Sequence, residues 1–437
     1  MRPIIAFILL GLLAGLTGCA GDDGGNKSNP AFHITISNIS RAGATGVFNT
    51  PVGAGAAGVA MPGASYEFTF PAVNGDRLSF ASMLVASNDL FFAPPAAGLP
   101  LFAGGTAVTG DVTGQLTLWD AGTEQNQDFG TGSEQPANGA GSTADSTATV
   151  RALDYTLDAI NATYPAAADV LTATLSHDAM TGEFTLTIAV STTSASPISP
   201  GAFVVHRGGD PIFTSGVADR GLGLEALAEG GDPSGLEATL TAWNAAWSSP
   251  LAPGAWAVHD FSGINTLFSQ GGSASSGLEA MAEDGDPSGL LASIQSATGV
   301  QSAGVFNTPD GLSAPGVAHG GESYSFTVDA SLGDLLTFGT MFVQSNDLFF
   351  APLGVGISLF DLNGDPQVGD VTSSVFLWDA GTEVNELPGG GANQAPRQGA
   401  ANTGTTEGGT VEFLSAVNDG FHYPGVTDMI QVTISYQ

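Results

Sequence analysis

The chain of 437 residues has a single cysteine, Cys19, so it forms no internal disulfide and offers no thiolate cluster for a metal. Basic residues are almost as scarce: 8 Lys and Arg stand against 42 Asp and Glu, for a formal net charge of −34. That balance repels nucleic acid and anionic headgroups. Charged residues make up only 11% of the chain, so the acidity reflects missing Lys and Arg rather than acidic runs. The six histidines are isolated and lack zinc spacing. His206 and His259 lie in apolar stretches, where a satisfied core histidine is expected. There is no Gly-x-Ser-x-Gly elbow, no glycine-rich phosphate loop followed by lysine, and no basic aromatic patch.

What is present suits a folded, externally placed protein. Hydrophobic residues at 43%, including 25 Phe, can fill a sizeable core, and 62 Gly with 24 Pro indicate many turns and long loops. The length makes two domains the default. Arg2 and the apolar residues 4–13, too short for a bilayer span, lead into Leu16-Thr17-Gly18-Cys19, which resembles a bacterial lipobox. On that reading residues 1–18 are a lipoprotein signal peptide, Cys19 carries the lipid, and residues 19–31 are a flexible tether. The expected location is the cell envelope, as an outer-membrane or cell-surface lipoprotein held to the membrane by its N-terminal lipid.

Two motifs occur twice. Ser87-Asn88-Asp89-Leu90-Phe91-Phe92-Ala93-Pro94 returns at 345–352, and Leu118-Trp119-Asp120-Ala121-Gly122-Thr123-Glu124 returns at 377–383, with the register kept to within one residue. Such a repeat marks two copies of one folded unit. Around the motifs the residues alternate with period two, as in Tyr66, Phe68 and Phe70 and again in Tyr324, Phe326 and Val328, which predicts strands with one buried face. Predicted strands at 78–85 and 336–343 run into the Asn-Asp motif, and others at 115–119 and 374–378 run into the Trp-Asp motif. The acidic residues therefore belong at strand ends. Residues 170–175 and 429–435 close each unit with a strand, and the polar stretches 129–149 and 388–409 are long loops within the units.

A second repeat lies between the first. Ser196-Pro197 through His206 is echoed by Ser249-Pro250 through His259, and Gly223-Leu224-Glu225-Ala226-Leu227-Ala228-Glu229 by Gly277-Leu278-Glu279-Ala280-Met281-Ala282-Glu283. Each copy continues to an Asp-Pro pair, Asp232-Pro233 or Asp286-Pro287, which predicts a capped helix start with proline at the first helical position. These "head" segments, 197–244 and 250–295, each read as a strand followed by two short helices. By sequence order the chain divides into 32–181, lacking a head, and 182–437, with a duplicated head. Either head one packs on the first body and head two on the second, or the duplication belongs wholly to the second domain. Two further acidic stretches have simpler explanations. Asp361-Leu362-Asn363-Gly364-Asp365 imitates an EF-hand start but has Pro366 where glycine is required, so it reads as a solvated turn. Glu283-Asp284-Gly285-Asp286 reads as helix capping.

Taken together, the Ser-Pro…Pro-Gly…His strand, the Gly-Leu-Glu-Ala helix with its Gly-Asp, the Ser-Asn-Asp motif and Trp-Asp-Ala-Gly-Thr-Glu resemble the spondin N-terminal domain in a bacterial lipoprotein form. The likeness covers about 183–437 well and about 32–181 without the head. It implies an all-β fold of tandem C2-like antiparallel β-sandwiches with short helical insertions. It also implies a calcium site carried by Asp89, Asp120 and Glu124 in one copy and by Asp347, Asp379 and Glu383 in the other. Two departures bear on that geometry: Glu124 and Glu383 replace the family's final Asp, and Leu90, after Asp89, replaces its loop Trp. Chemistry agrees with the assignment, since calcium takes about six to eight oxygens in a tolerant geometry. Gly122 and Gly381 let the backbone turn so that two carboxylates four residues apart can face one centre. The ordinary alternative is a β-turn beside a strand end. The function this implies is non-enzymatic adhesion or matrix interaction, with a matrix or surface protein or a glycan as partner and no nucleic acid. A secreted hydrolase or a carbohydrate-binding module is the alternative, with Trp243, Trp247 and Trp256 as the stacking residues.

Overall fold

The computed structural model describes residues 30–136, 138–139, 142–153 and 164–436. The lipobox, Cys19 and most of the tether lie outside the described residues. The fold is all-β with antiparallel sheets and few helices, as the alternation and the turn-rich composition require.

In chain order the principal elements begin with β1 (Ala31–Asn38), β2 (Thr45–Phe48), β3 (Ser65–Pro71), β4 (Arg77–Leu84), β5 (Leu90–Ala93) and β6 (Thr117–Asp120). They continue with β7 (Leu171–Asp178), β8 (Glu183–Val190), β9 (Ile198–His206), α1 (Leu224–Gly230) and α2 (Ser234–Trp247). Next come β10 (Leu251–His259), α3 (Ser276–Asp284), α4 (Ser288–Gln295), β11 (Val300–Phe306) and β12 (Ser323–Asp329). The last are β13 (Leu335–Phe342), β14 (Leu348–Pro352), β15 (Val375–Asp379) and β16 (Ile430–Tyr436).

Each unit has three layers. In the first, the sheet β6-β5-β4-β9-β2 faces the sheet β3-β8-β7. Phe68, Phe70, Phe80, Phe92, Leu118 and Phe203 fill the space between them. The alternate residues of the first sheet, among them Ala81, Phe91, Trp119 and Val204, point the other way and meet Leu224, Leu227, Leu236 and Leu240 of α1 and α2. The second unit repeats this arrangement. Its sheet β15-β14-β13-β10-β11 faces the sheet β12-β1-β16, with α3 and α4 on the far side. Covering both faces explains why β13 is buried at every position and reads as a continuous apolar run.

The strand order within the units departs from the order along the chain. β1 pairs with β12 on one side and β16 on the other, so the N-terminal strand is a central strand of the second unit. β8, which the sequence places at the start of the second half, pairs with β3 and β7 of the first unit. β9 lies between β4 and β2, and α1 and α2 pack on the same unit. Head one therefore packs on the first body and head two on the second, and the sequence boundary at 181/182 falls between two paired strands. Spatially the first unit is residues 45–247, inserted between the first and second strands of the other. Its strands follow in a circularly permuted order.

The chain leaves the second unit after Asn38 and returns at Ser249. Asn38 is fully buried; its Nδ2 donates to Ser249 O at 3.0 Å and to Ala318 O at 2.8 Å, and its Oδ1 accepts from Ser40 N at 2.9 Å. Arg41 extends the tie to the first unit by pairing with Asp76. The head helices begin one residue later than expected, so Pro233 and Pro287 stand at the N-cap position and Asp232 and Asp286 one place before it. Asp232 and Asp286 accept from Ser234 N and Ser288 N at 2.9 Å, and the helices begin at those serines, after the prolines. α2 runs 14 residues, longer than the short helix expected. The 361–365 stretch is a turn, in which Asp361 Oδ1 accepts from Asn363 N at 2.8 Å and Asp365 N at 3.0 Å.

Phe32, Ile34 and Ile36 are fully buried in the second sandwich, and a side chain of this kind contributes about 1.5–3 kcal/mol relative to exposure. Ile34→Ala is expected to cost about 2–5 kcal/mol in chemical denaturation. Amide exchange should then accelerate in β12 and β16 while β3 keeps its protection; acceleration in β3 instead would refute the strand assignment.

Candidate metal centre

Both acidic motifs form where a doubly covered sheet meets a loop. Asp89 and Asp347 immediately precede β5 and β14, and Asp120 and Asp379 end the neighbouring strands. Pairing of Asp120 with Leu90 and of Asp379 with Leu348 brings the two carboxylates of each unit side by side. All four aspartates are buried. The motif serine holds the bend: Ser345 Oγ donates to Phe342 O at 2.6 Å and accepts from Leu348 N at 3.1 Å, and Ser87 makes the same pair of bonds. The glycine of the second motif is required by conformation and by space. Gly122 and Gly381 have φ of +71° and +68°, and a Cβ on Gly122 would stand 2.5 Å from Thr149 O.

The second unit brings a metal-competent group together. Asp347 Oδ2 accepts from Thr382 N at 2.7 Å, Thr382 Oγ1 at 3.0 Å and Glu383 N at 3.1 Å. Its other oxygen, Oδ1, is buried and has no hydrogen-bond partner. Asp379 accepts from Gly381 N and Asn385 Nδ2, both at 2.7 Å. Ligand oxygens of Asp347, Asp379 and Glu407 all lie within 4.8 Å of one another. Beside them opens a cleft of about 390 Å³ whose lining includes Asp379, Glu407, Glu412 and Asp419. Burial pushes the Asp347 carboxyl up to about 8, and the charge of Asp379 adds to the rise. Asp379 and Glu407 are also raised, each first by burial. Crowded carboxylates and an orphaned buried oxygen fit a hard divalent cation, which would satisfy that oxygen and offset the repulsion.

Glu383, expected as the third ligand, is used differently. Its Oε1 accepts from Gly404 N at 2.7 Å and its Oε2 from Asn346 Nδ2 at 3.3 Å, so it anchors the 388–409 loop. Glu407 takes the third place instead. Its counterpart in the first unit is Asp145, because Glu383 bridges to Thr406 as Glu124 bridges to Ala144. The helix carboxylates Glu283 and Glu229 are both raised to about 7, first by burial, with the neighbouring Glu383 and Glu124 adding to it.

In the first unit Asp89 repeats the Asp347 pattern, accepting from Thr123 N at 2.9 Å, Thr123 Oγ1 at 3.2 Å and Glu124 N at 3.0 Å, with Oδ1 again lacking a hydrogen-bond partner. Asp120 differs from Asp379. Its Oδ2 accepts from Asn126 Nδ2 and from the Arg151 guanidinium, both at 2.7 Å. Glu124, like Glu383, bridges to the following loop, and its charge adds to the rise that burial imposes on Asp89.

The alternative site features are accounted for by packing. Trp243 and Trp247 are buried and stack on each other at 5.5 Å, and Trp256 is half-buried against Phe326 at 5.2 Å. They form no exposed coplanar strip of the kind that grips sugar. His206 bonds Ser79 Oγ at 2.9 Å and Gly208 O at 3.0 Å, as a core histidine does.

Residues 242–431 match the family model Spondin_N. That domain is an extracellular, adhesion-type module and a non-enzymatic one. No curated protein matches the chain. Among the described residues, no helix is long and apolar enough to cross a membrane. The matched residues cover the second unit from the end of α2 to the start of β16 but leave out β1, the strand that completes its sheet.

The raised carboxyl gives a signed expectation. The folded state holds a proton on Asp347 between the ordinary carboxylate range and about pH 8, and the unfolded chain does not. In chelator, stability therefore falls as pH rises through that window. Asp347→Asn should flatten the decline and raise Tm at pH 8 by at least about 2–4 °C. A chelated wild type whose Tm is level from pH 5 to pH 8 would contradict it.

Proposed function

Residues 242–431 carry a Spondin_N domain, and from that premise we propose that the protein is a lipid-anchored, calcium-binding adhesion module of the bacterial cell envelope. The observation that supports calcium is the buried, unpartnered Oδ1 of Asp347 beside Asp379 and Glu407. Calcium there would draw the β14 start, the β15 end and the loop bearing Glu407 to one centre, with carbonyls and water completing the shell. The acidic cleft beside it, with Glu412 and Asp419 on its wall, leaves an open side from which the ion could also meet an acidic group of a matrix or surface partner. Anchoring rests on the lipobox-like Leu16-Thr17-Gly18-Cys19 and the small, polar residues that follow it.

Calorimetric titration of residues 27–437 with calcium is expected to show binding that raises Tm and weakens by more than about tenfold in Asp379→Ala. Absence of both heat and thermal shift would overturn the metal reading. In cells, Cys19→Ser is expected to move the protein from the membrane fraction to the soluble one, and unchanged fractionation would overturn the anchor.

A further inference from the structure

The two units present the same aspartates and balance their charge differently. Asp120 pairs across the strand with Arg151, and at the same register Asp379 pairs with Glu412. Arg151 Nη2 lies 2.7 Å from Asp120 Oδ2, and Nη1 lies 3.0 Å from Asp145 Oδ2. Nη1 also donates to Thr147 Oγ1 and, at 3.3 Å, to Thr149 O. Asp120 and Asp145 are the counterparts of Asp379 and Glu407, two of the three residues grouped in the second unit.

We propose that Arg151 is the built-in counter-cation of the first unit, so that the chain takes up a divalent cation in the second unit and not in the first. The proposal rests on the metal reading of the second unit given above. A guanidinium is always charged and its planar fork can hold two carboxylates at once, so it does permanently what a bound ion does reversibly. A metal entering beside it would meet a fixed positive charge and two carboxylates already engaged. In the second unit the corresponding residue is Glu412, which adds negative charge to the cleft. The consequence is a division of labour. Asp120 and Asp145 are neutralised at any calcium level, while Asp347, Asp379 and Glu407 are neutralised only when calcium is bound.

The test is calorimetric titration and thermal unfolding of residues 27–437 with calcium chloride, in wild type, Arg151→Glu and Arg151→Gln. Wild type is expected to bind one calcium per chain. Arg151→Glu, which gives the first unit the second unit's charge pattern, is expected to bind two and to gain a larger calcium-dependent rise in Tm. Arg151→Gln guards against a misfolded charge reversal: in chelator its Tm falls, and calcium recovers at least half of the loss. Two calcium ions in wild type, one of them lost in Asp120→Ala, would overturn the proposal and leave the metal reading standing. No binding in wild type with one ion in Arg151→Glu would remove the second-unit site and keep the role of Arg151. No binding in any variant overturns both.

Discussion

The second sandwich cannot close without β1. Both edges of that strand are hydrogen-bonded, to β12 and β16, and Phe32, Ile34 and Ile36 fill the space between the sheets. A strand whose last residue, Asn38, lies 211 residues before Ser249 by chain order but adjacent to it in space forces everything between to fold as a separate body whose ends lie together. The Asn38 side chain meets that demand by satisfying the carbonyls of Ser249 and Ala318 where the chain departs and returns. Buried backbone carbonyls at such a crossing need partners, and an amide can serve two carbonyls while accepting a third bond.

The two-faced sheets set the terms for the acidic sites. Because α1 and α2, or α3 and α4, cover the outer face of the sheet that carries the motifs, the aspartates at the strand ends are buried instead of standing in solvent. Burial penalises the charged form, so each pocket needs a compensating charge or a proton. In the first unit Arg151 pairs with Asp120 and Asp145, and in the second Asp347, Asp379 and Glu407 are gathered together. One architecture therefore carries two electrostatic solutions. The charge reversal lies at one register position, Arg151 against Glu412.

Much of this was legible in the residues. The period-two alternation located β3 and β12, since side chains on a pleated strand alternate, and the apolar runs at 78–85 and 336–343 fall within a residue of β4 and β13. The repeated motifs placed Asp89, Asp120, Asp347 and Asp379 at strand ends, where they are. Glu407 was not legible, nor were Arg151 and Glu412, because they stand in or after irregular loops without periodicity, and only cross-strand pairing identifies their neighbours. Glu124 and Glu383 had the right spacing for ligands. Glu383 instead satisfies the backbone of the following loop.

By itself the sequence determined the all-β class, the existence of two similar units, the presence of the head helices and the positions of the paired aspartates. These follow from local rules: alternation, turn chemistry and short-range hydrogen bonding act over a few residues and are written in them. Only the tertiary structure decided which strand belongs to which unit and which charge faces which carboxylate. β1 and β8 are both amphipathic and would fit either sheet on alternation alone. Their choice is made by chain connectivity and by the buried faces they complete. The same holds for Arg151, whose place opposite Asp120 depends on a pairing across 31 residues of chain that no local pattern encodes.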